Sequence, residues 1–239
     1  MKAWMGGVLL LWSVTGAQAA TVMAAQDPWP PFVIDGNKGI SVEIVKSALA
    51  SQGHQLEMRI MPWARALSGV EEGSIDILVG AWFTEARTKS LLFSEPYLKN
   101  EVKFIQLAGG SFDYSGLDSL KGKSVGIVRG YGYGDDFMQA DLNRQEAVDL
   151  PTNLKKLLDH RIDLTLEDEV VARAIMAQQG MDAAQFSFTT KALSTNPLHV
   201  ASGLKNPNGK QWIEAFNKGL AAIKADGTLD KILASYGVK

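Results

Sequence analysis

The tightest constraint on this chain is the way its apolar residues change period from about residue 40 onward, switching between helical and strand spacing in short pieces separated by Gly, Pro and Asn. Val42, Val45 and Leu49 share one helical face, and Gly53 stands where a left-handed residue would end that helix. Leu56, Met58 and Ile60 then alternate as in a half-buried strand. Ala64, Leu67 and Val70 return to helical spacing before Gly73, and IDILVG at 75–80 suits a buried parallel strand. This rhythm predicts an α/β architecture.

A second series of the same kind begins at KGKSVGIVRG (121–130) and runs through a helix from Pro151 to His160, a strand at IDLTL and a helix over 168–179. Between the two series, GGSFDYSG at 109–116 reads as a connection. The last forty residues, with a strand at PLHVASG and a helix from about Lys210, fit either unit. A length of 239 residues allows one large domain or two small ones.

Charge and motif content exclude several functions. Lys and Arg number 24 against 26 Asp and Glu, so the chain lacks the basic excess that nucleic-acid binding requires. It has no cysteine, which removes disulfides, thiolate chemistry and cysteine-held metals together. GLDSLKGKS at 116–124 has the wrong glycine spacing for a phosphate loop and precedes a strand, and GYGYG at 130–134 lacks the dinucleotide-loop pattern. No G-x-S-x-G or H-E-x-x-H occurs, and His54, His160 and His199 stand alone. No catalytic residue, metal site or cofactor is expected.

Residues 1–20, MKAWMGGVLLLWSVTGAQAA, have the three parts of a secretory signal: Lys2, an apolar run through Val14, and Ala17-Gln18-Ala19 as a cleavage end. The apolar run is shorter than the ~20 residues that span a bilayer. A soluble, exported protein is expected, with no lipid anchor because no cysteine follows the run.

Five segments stand out: DPWPPF at 27–32, MPWARAL at 61–67, GAWFTEARTKSLLFSEPY at 80–97, LKGKSVGIVRGYGYG at 120–134 and RIDLTLEDEVVA at 161–172. In this order and spacing they resemble family 3 of the bacterial extracellular solute-binding proteins, the amino-acid-binding components of ABC importers. The resemblance runs from about residue 22 to the terminal KADGTLDKILASYG. It implies a two-lobed periplasmic-binding-protein-like fold of type II, each lobe a central β-sheet flanked by helices, with two strands crossing at the hinge. Lobe 1 would combine 22–107 with 200–239, and lobe 2 would be 108–199. The implied function is capture of an amino acid or similar small carboxylate or zwitterion in the cleft. The implied setting is a periplasmic monomer that serves the membrane permease of an ABC importer. Two other roles share the scaffold: a cyclohexadienyl-dehydratase-like enzyme, and a sensor whose closed form docks on a membrane receptor.

The same resemblance suggests site residues. Arg87 falls where the family grips an α-carboxylate, a task suited to a planar guanidinium; read alone, it is a surface arginine near Glu85 or Asp76. Asp168 matches the acid that receives an α-amino group, yet it also opens the helix DEVVARAIM, where a capping aspartate needs no ligand; both readings stand, with Glu167 as the alternative acid. Trp29 sits where an aromatic covers the ligand, and Trp63 and Trp82 map near the cleft. Small hydroxyl residues common before the arginine are replaced by Gly80, Ala81, Trp82 and Phe83. After Arg129 the chain has Gly130, Tyr131, Gly132 and Tyr133. That substitution implies a ligand with an apolar, aromatic or cationic portion, with Arg129 or Arg65 available to a second anionic group.

Overall fold

The computed structural model describes residues 19–238; the expected secretory segment lies almost wholly outside them. The first half runs β1 (Thr21–Gln26), α1 (Ile40–Ser51), β2 (Gln55–Ile60), α2 (Trp63–Glu71), β3 (Ile77–Trp82), β4 (Leu91–Phe93) and β5 (Leu98–Leu107). After it come β6 (Ser124–Val128), α3 (Asp135–Gln139), β7 (Asn143–Ala147), α4 (Leu150–Leu158), β8 (Leu164–Asp168), α5 (Glu169–Gln178), β9 (Phe186–Gly203), α6 (Gly209–Ala225) and α7 (Thr228–Ser235).

The strands form one path in the order β2-β1-β3-β9-β5-β8-β6-β7, with β4 pairing the far end of β9. Pairing is parallel within each set, β1 with β2 and β3, and β6 with β7 and β8. The two sets are joined through the antiparallel pair β5–β9, which runs from Leu98 opposite Leu198 to Leu107 opposite Phe186. Its register shifts twice, between Val102 and Ile105, and such bulges bend a ladder. This is the two-lobed α/β arrangement, with two strands crossing between the parallel sets.

Burial explains the elements. Every residue of β3 is buried, as a central strand covered on both faces must be; it pairs parallel with β1 and antiparallel with β9. α1 sinks Val42, Val45 and Leu49 into the core, and Gly53 takes a left-handed φ of 81° after it. α6 lies so close to α1 that Gly219 abuts the Ala48 carbonyl, leaving no room for a Cβ. The C-terminal helices therefore pack on the first parallel set.

Three expectations shift. α2 buries Trp63, Ala66 and Val70 while Ala64 and Leu67 are half-buried, because the large indole at its first position sets the inward face. β3 ends two residues later than IDILVG, which places Trp82 at the strand's carboxyl end. β9 begins at Phe186, eleven residues before PLHVASG.

Candidate functional site

Arg87 sits in the single turn Ala86–Lys89 after β3, held there by its own N–H donating to the Thr84 carbonyl (3.2 Å) and hydroxyl (3.2 Å). Only 9% of its surface is exposed, and among the described residues it makes no ion pair within 4 Å. Nη1 donates to the Trp82 carbonyl (2.7 Å) and Nη2 to the Gly130 carbonyl (2.6 Å). The guanidinium carbon stands 5.2 Å from the centre of the Trp63 ring. Burial pulls its pKa down to about 10, leaving it charged at neutral pH. A buried cation met by neutral carbonyls and an aromatic face is strongly desolvated and retains affinity for an anion.

The guanidinium faces a small space of about 20 Å³. Gln26, Trp29, Trp63, Gly80 and Trp82 line it from the first parallel set, and Tyr131 and Gly132 from the loop after β6. That loop lies tightly over the site: a Cβ on Gly132 would meet Arg87 Nη1 at 2.8 Å. Trp82 packs edge-on against Trp29 (5.8 Å between centres) and Tyr131 (5.5 Å). A larger space of about 370 Å³ adjoins, with Asp27, Tyr131, Asp149 and Ile60 in its walls.

The other expected site residues separate into two groups. Trp29, Trp63, Gly80, Trp82, Arg87 and Tyr131 are brought together. Four are not. Ala81 packs in the core beside Leu78 and Ala201. Tyr133 is 2% exposed and its hydroxyl accepts from the Val128 N–H (3.0 Å), which turns it into the second half's core against Phe137. Arg129 is exposed and paired with Glu146 at 2.9 Å, because its strand end points that side chain away from the cleft. Asp168 caps α5: Oδ1 accepts from the N–H groups of Val170 (2.9 Å) and Val171 (3.3 Å), and Oδ2 from Asn100 Nδ2 (3.2 Å) and the Glu101 N–H (3.3 Å). Arg65 is likewise exposed.

Two acids emerge that the sequence did not single out as primary. Asp27 is 8% exposed and accepts from the Tyr131 hydroxyl at 2.8 Å; burial pushes its pKa up to about 6. Glu167 has no exposed surface. Its Oε1 accepts from Trp29 Nε1 (3.2 Å) and the Asp168 N–H (2.9 Å), while Oε2 has no partner among the described residues. Burial raises its pKa to about 8. The cue in the sequence was the place of Glu167 beside Asp168, as the alternative acid that the family resemblance offered.

Residues 21–239 match the sequence profile described as bacterial extracellular solute-binding proteins, family 3. The arginine-binding periplasmic protein of Mannheimia haemolytica is 24% identical, over 94% of each chain. The L-cystine-binding protein TcyJ of Escherichia coli K12 is 25% identical, over 88% of this chain and 80% of that one. Among solved structures, an ancestral arginine-binding protein bound to arginine superimposes with a TM-score of 0.75 at 25% identity, covering 91% of this chain and 96% of the other. Among the described residues no helix is long and apolar enough to cross a membrane.

Proposed function

The chain belongs to family 3 of the bacterial extracellular solute-binding proteins, and from that premise we propose that it captures an amino acid, or a similar small carboxylate or zwitterion, in the cleft between its lobes and presents it to the permease of an ABC importer. The lobes in this reading are 22–107 with 200–239, and 108–199. The protein works as a periplasmic monomer after loss of residues 1–20, and it binds without catalysis. The names of its amino-acid-binding relatives support the ligand class.

The observation that carries the reading is Arg87: a buried guanidinium with no carboxylate partner among the described residues, at the floor of a cavity roofed by the opposite lobe. A ligand carboxylate would replace neutral acceptors with an anionic one, and a charge-assisted hydrogen bond contributes about 1.5–3 kcal/mol. Because Arg87 touches both the cavity and the Gly130 carbonyl across the cleft, the same residue senses ligand and holds the lobes shut.

A thermal-shift screen over amino acids, opines and small aromatic acids tests this. A ligand at 100 times its dissociation constant adds about 2.7 kcal/mol, or roughly 5–11 °C for a chain of this size. The shift is expected with at least one carboxylate and is expected to vanish in Arg87→Ala. No shift with any compound, or a shift that Arg87→Ala retains, overturns the reading.

A further inference from the structure

Tyr131 stands between two spaces of unequal size. On one side is the Arg87 cell, of about 20 Å³, and on the other the adjoining chamber, of about 370 Å³. Neighbours in sequence divide the same way: Gln26 and Trp63 line the cell, Asp27 and Pro62 the chamber. A single water requires ~10–15 Å³, so the cell has room beside the guanidinium for a carboxylate and little more. The rest of even a small amino acid does not fit inside it. Pockets that take whole small molecules measure ~300–1,000 Å³, and the chamber falls in that range.

We infer that the chamber holds the body of the ligand whose carboxylate Arg87 binds, and that this ligand is an amino acid extended at its nitrogen by an apolar unit. A dipeptide with glycine at its carboxyl end is the simplest case. The inference rests on the proposed capture of a carboxylate and assigns the remainder of the molecule. A chain that passes Tyr131 to reach so small a cell cannot branch beside its carboxylate, which is why glycine suits that end.

The chamber walls set the chemistry of the extension. Ile60, the last residue of β2, and Val148, between β7 and α4, are 40% and 51% exposed and line the chamber from opposite halves of the chain. With Leu150 and Ile175 they offer an apolar surface that a hydrocarbon side chain would cover. Gln178 and Gln179 supply amide donors and acceptors that match a peptide unit. The charged groups of the lining are Asp27 and Asp149, and no Lys, Arg or His joins them among the described residues. A second carboxylate on the ligand would meet two like charges and no counter-charge, so the extension is not anionic.

The test is calorimetric titration of the whole mature protein at neutral pH with four probes: glycine, leucine, leucyl-glycine and glutamyl-glycine. Leucyl-glycine is expected to bind about tenfold or more tightly than either free amino acid, because it alone fills cell and chamber together. Glutamyl-glycine, which places a carboxylate in the chamber, is expected to bind about tenfold or more weakly than leucyl-glycine. Val148→Trp and Ile60→Trp each fill part of the chamber from a partly exposed position outside the Arg87 cell. Each is expected to weaken leucyl-glycine binding about tenfold while the unfolding midpoint of the unliganded protein moves by only a few degrees. The inference is overturned, and the proposed function left intact, by any free amino acid that binds through Arg87 as tightly as leucyl-glycine. Leucyl-glycine affinity that both tryptophan variants leave unchanged has the same consequence. Binding of none of the four probes also overturns the inference, and the thermal-shift screen then decides the proposed function by itself. Leucyl-glycine binding that survives in Arg87→Ala overturns both.

Discussion

Trp63 and Arg87 converge on a single acceptor. The indole Nε1 at 2.7 Å and the guanidinium Nη2 at 2.6 Å both donate to the Gly130 carbonyl, so two side chains of one half of the molecule grip one backbone oxygen of the other. Gly130 has φ 77°, in the left-handed region, and a Cβ there would come within 3.4 Å of the Trp63 ring, so glycine suits both the turn and the approach. Trp63→Phe keeps most of the buried ring and removes one donor. The closed form should lose about 1 kcal/mol, which weakens ligand binding about fivefold in a calorimetric titration. The unfolding midpoint of the unliganded protein should move by only a few degrees.

Arg87→Lys separates charge from geometry. Lysine keeps the cation but offers no planar pair of donors, so it cannot hold the Trp82 and Gly130 carbonyls while also meeting a carboxylate side-on. Affinity for the ligand found by thermal shift should fall at least tenfold. Retention of wild-type affinity by the lysine variant would mean that charge alone suffices.

The buried acids predict an unusual dependence of stability on pH. Glu167 rises from an ordinary 4.5 to about 8 and Asp27 from 3.8 to about 6, so the folded state binds protons that the unfolded chain has already released. Stability therefore falls as pH rises, through about 4 to 6 for Asp27 and about 4.5 to 8 for Glu167, and flattens above that. The groups facing Glu167 reinforce the direction: Asp27 and Asp168 are acidic, and the buried Tyr131 and Tyr133 stay neutral. Thermal midpoints of the unliganded protein should drop by several degrees between pH 6 and 8.5, and Glu167→Gln should remove most of that drop. A flat profile in the wild type would place Glu167 in contact with water.

How much of this was legible in the sequence depends on what each residue's burial rests on. The helices and parallel strands were visible because their apolar residues repeat, as with Val42, Val45 and Leu49 on α1. The first eleven residues of β9 were not, since a crossing strand in contact with solvent carries polar residues such as Thr190, Lys191 and Ser194 and shows no apolar period. Resemblance led to Arg87 and the three tryptophans. Asp27 was passed over and Glu167 stood only as the alternative to Asp168, because a carboxylate is read as solvated by default, and what buries these two comes from loops and strands more than a hundred residues away. Arg129 failed for the opposite reason: its neighbours Gly130 and Tyr131 do reach the site, but alternation along the strand end turns its own side chain outward to Glu146.

Asn100 links the cavity wall to the second lobe and supplies the last prediction. It lies on the crossing strand β5, 2% exposed, and its two side-chain atoms face opposite ways along a chain of hydrogen bonds. Oδ1 accepts from Trp82 Nε1 at 3.4 Å, and Nδ2 donates to Asp168 Oδ2 at 3.2 Å. Asp168 in turn holds the first turn of α5. Asn100→Ala would leave the Trp82 N–H without its acceptor and Asp168 with one donor fewer, both in a dry interior, at about 1–3 kcal/mol. Asp168→Ala would remove the cap as well and cost a further ~1 kcal/mol or so. If Asp168 serves the helix and the strand crossing, both variants should lower the unfolding midpoint of the unliganded protein. At temperatures where the variants stay folded, ligand affinity should then change by less than about threefold, well under the ~1.4 kcal/mol that a tenfold loss represents. A loss of affinity in Asp168→Ala as large as that in Arg87→Ala, at an unchanged midpoint, would instead assign Asp168 to the ligand.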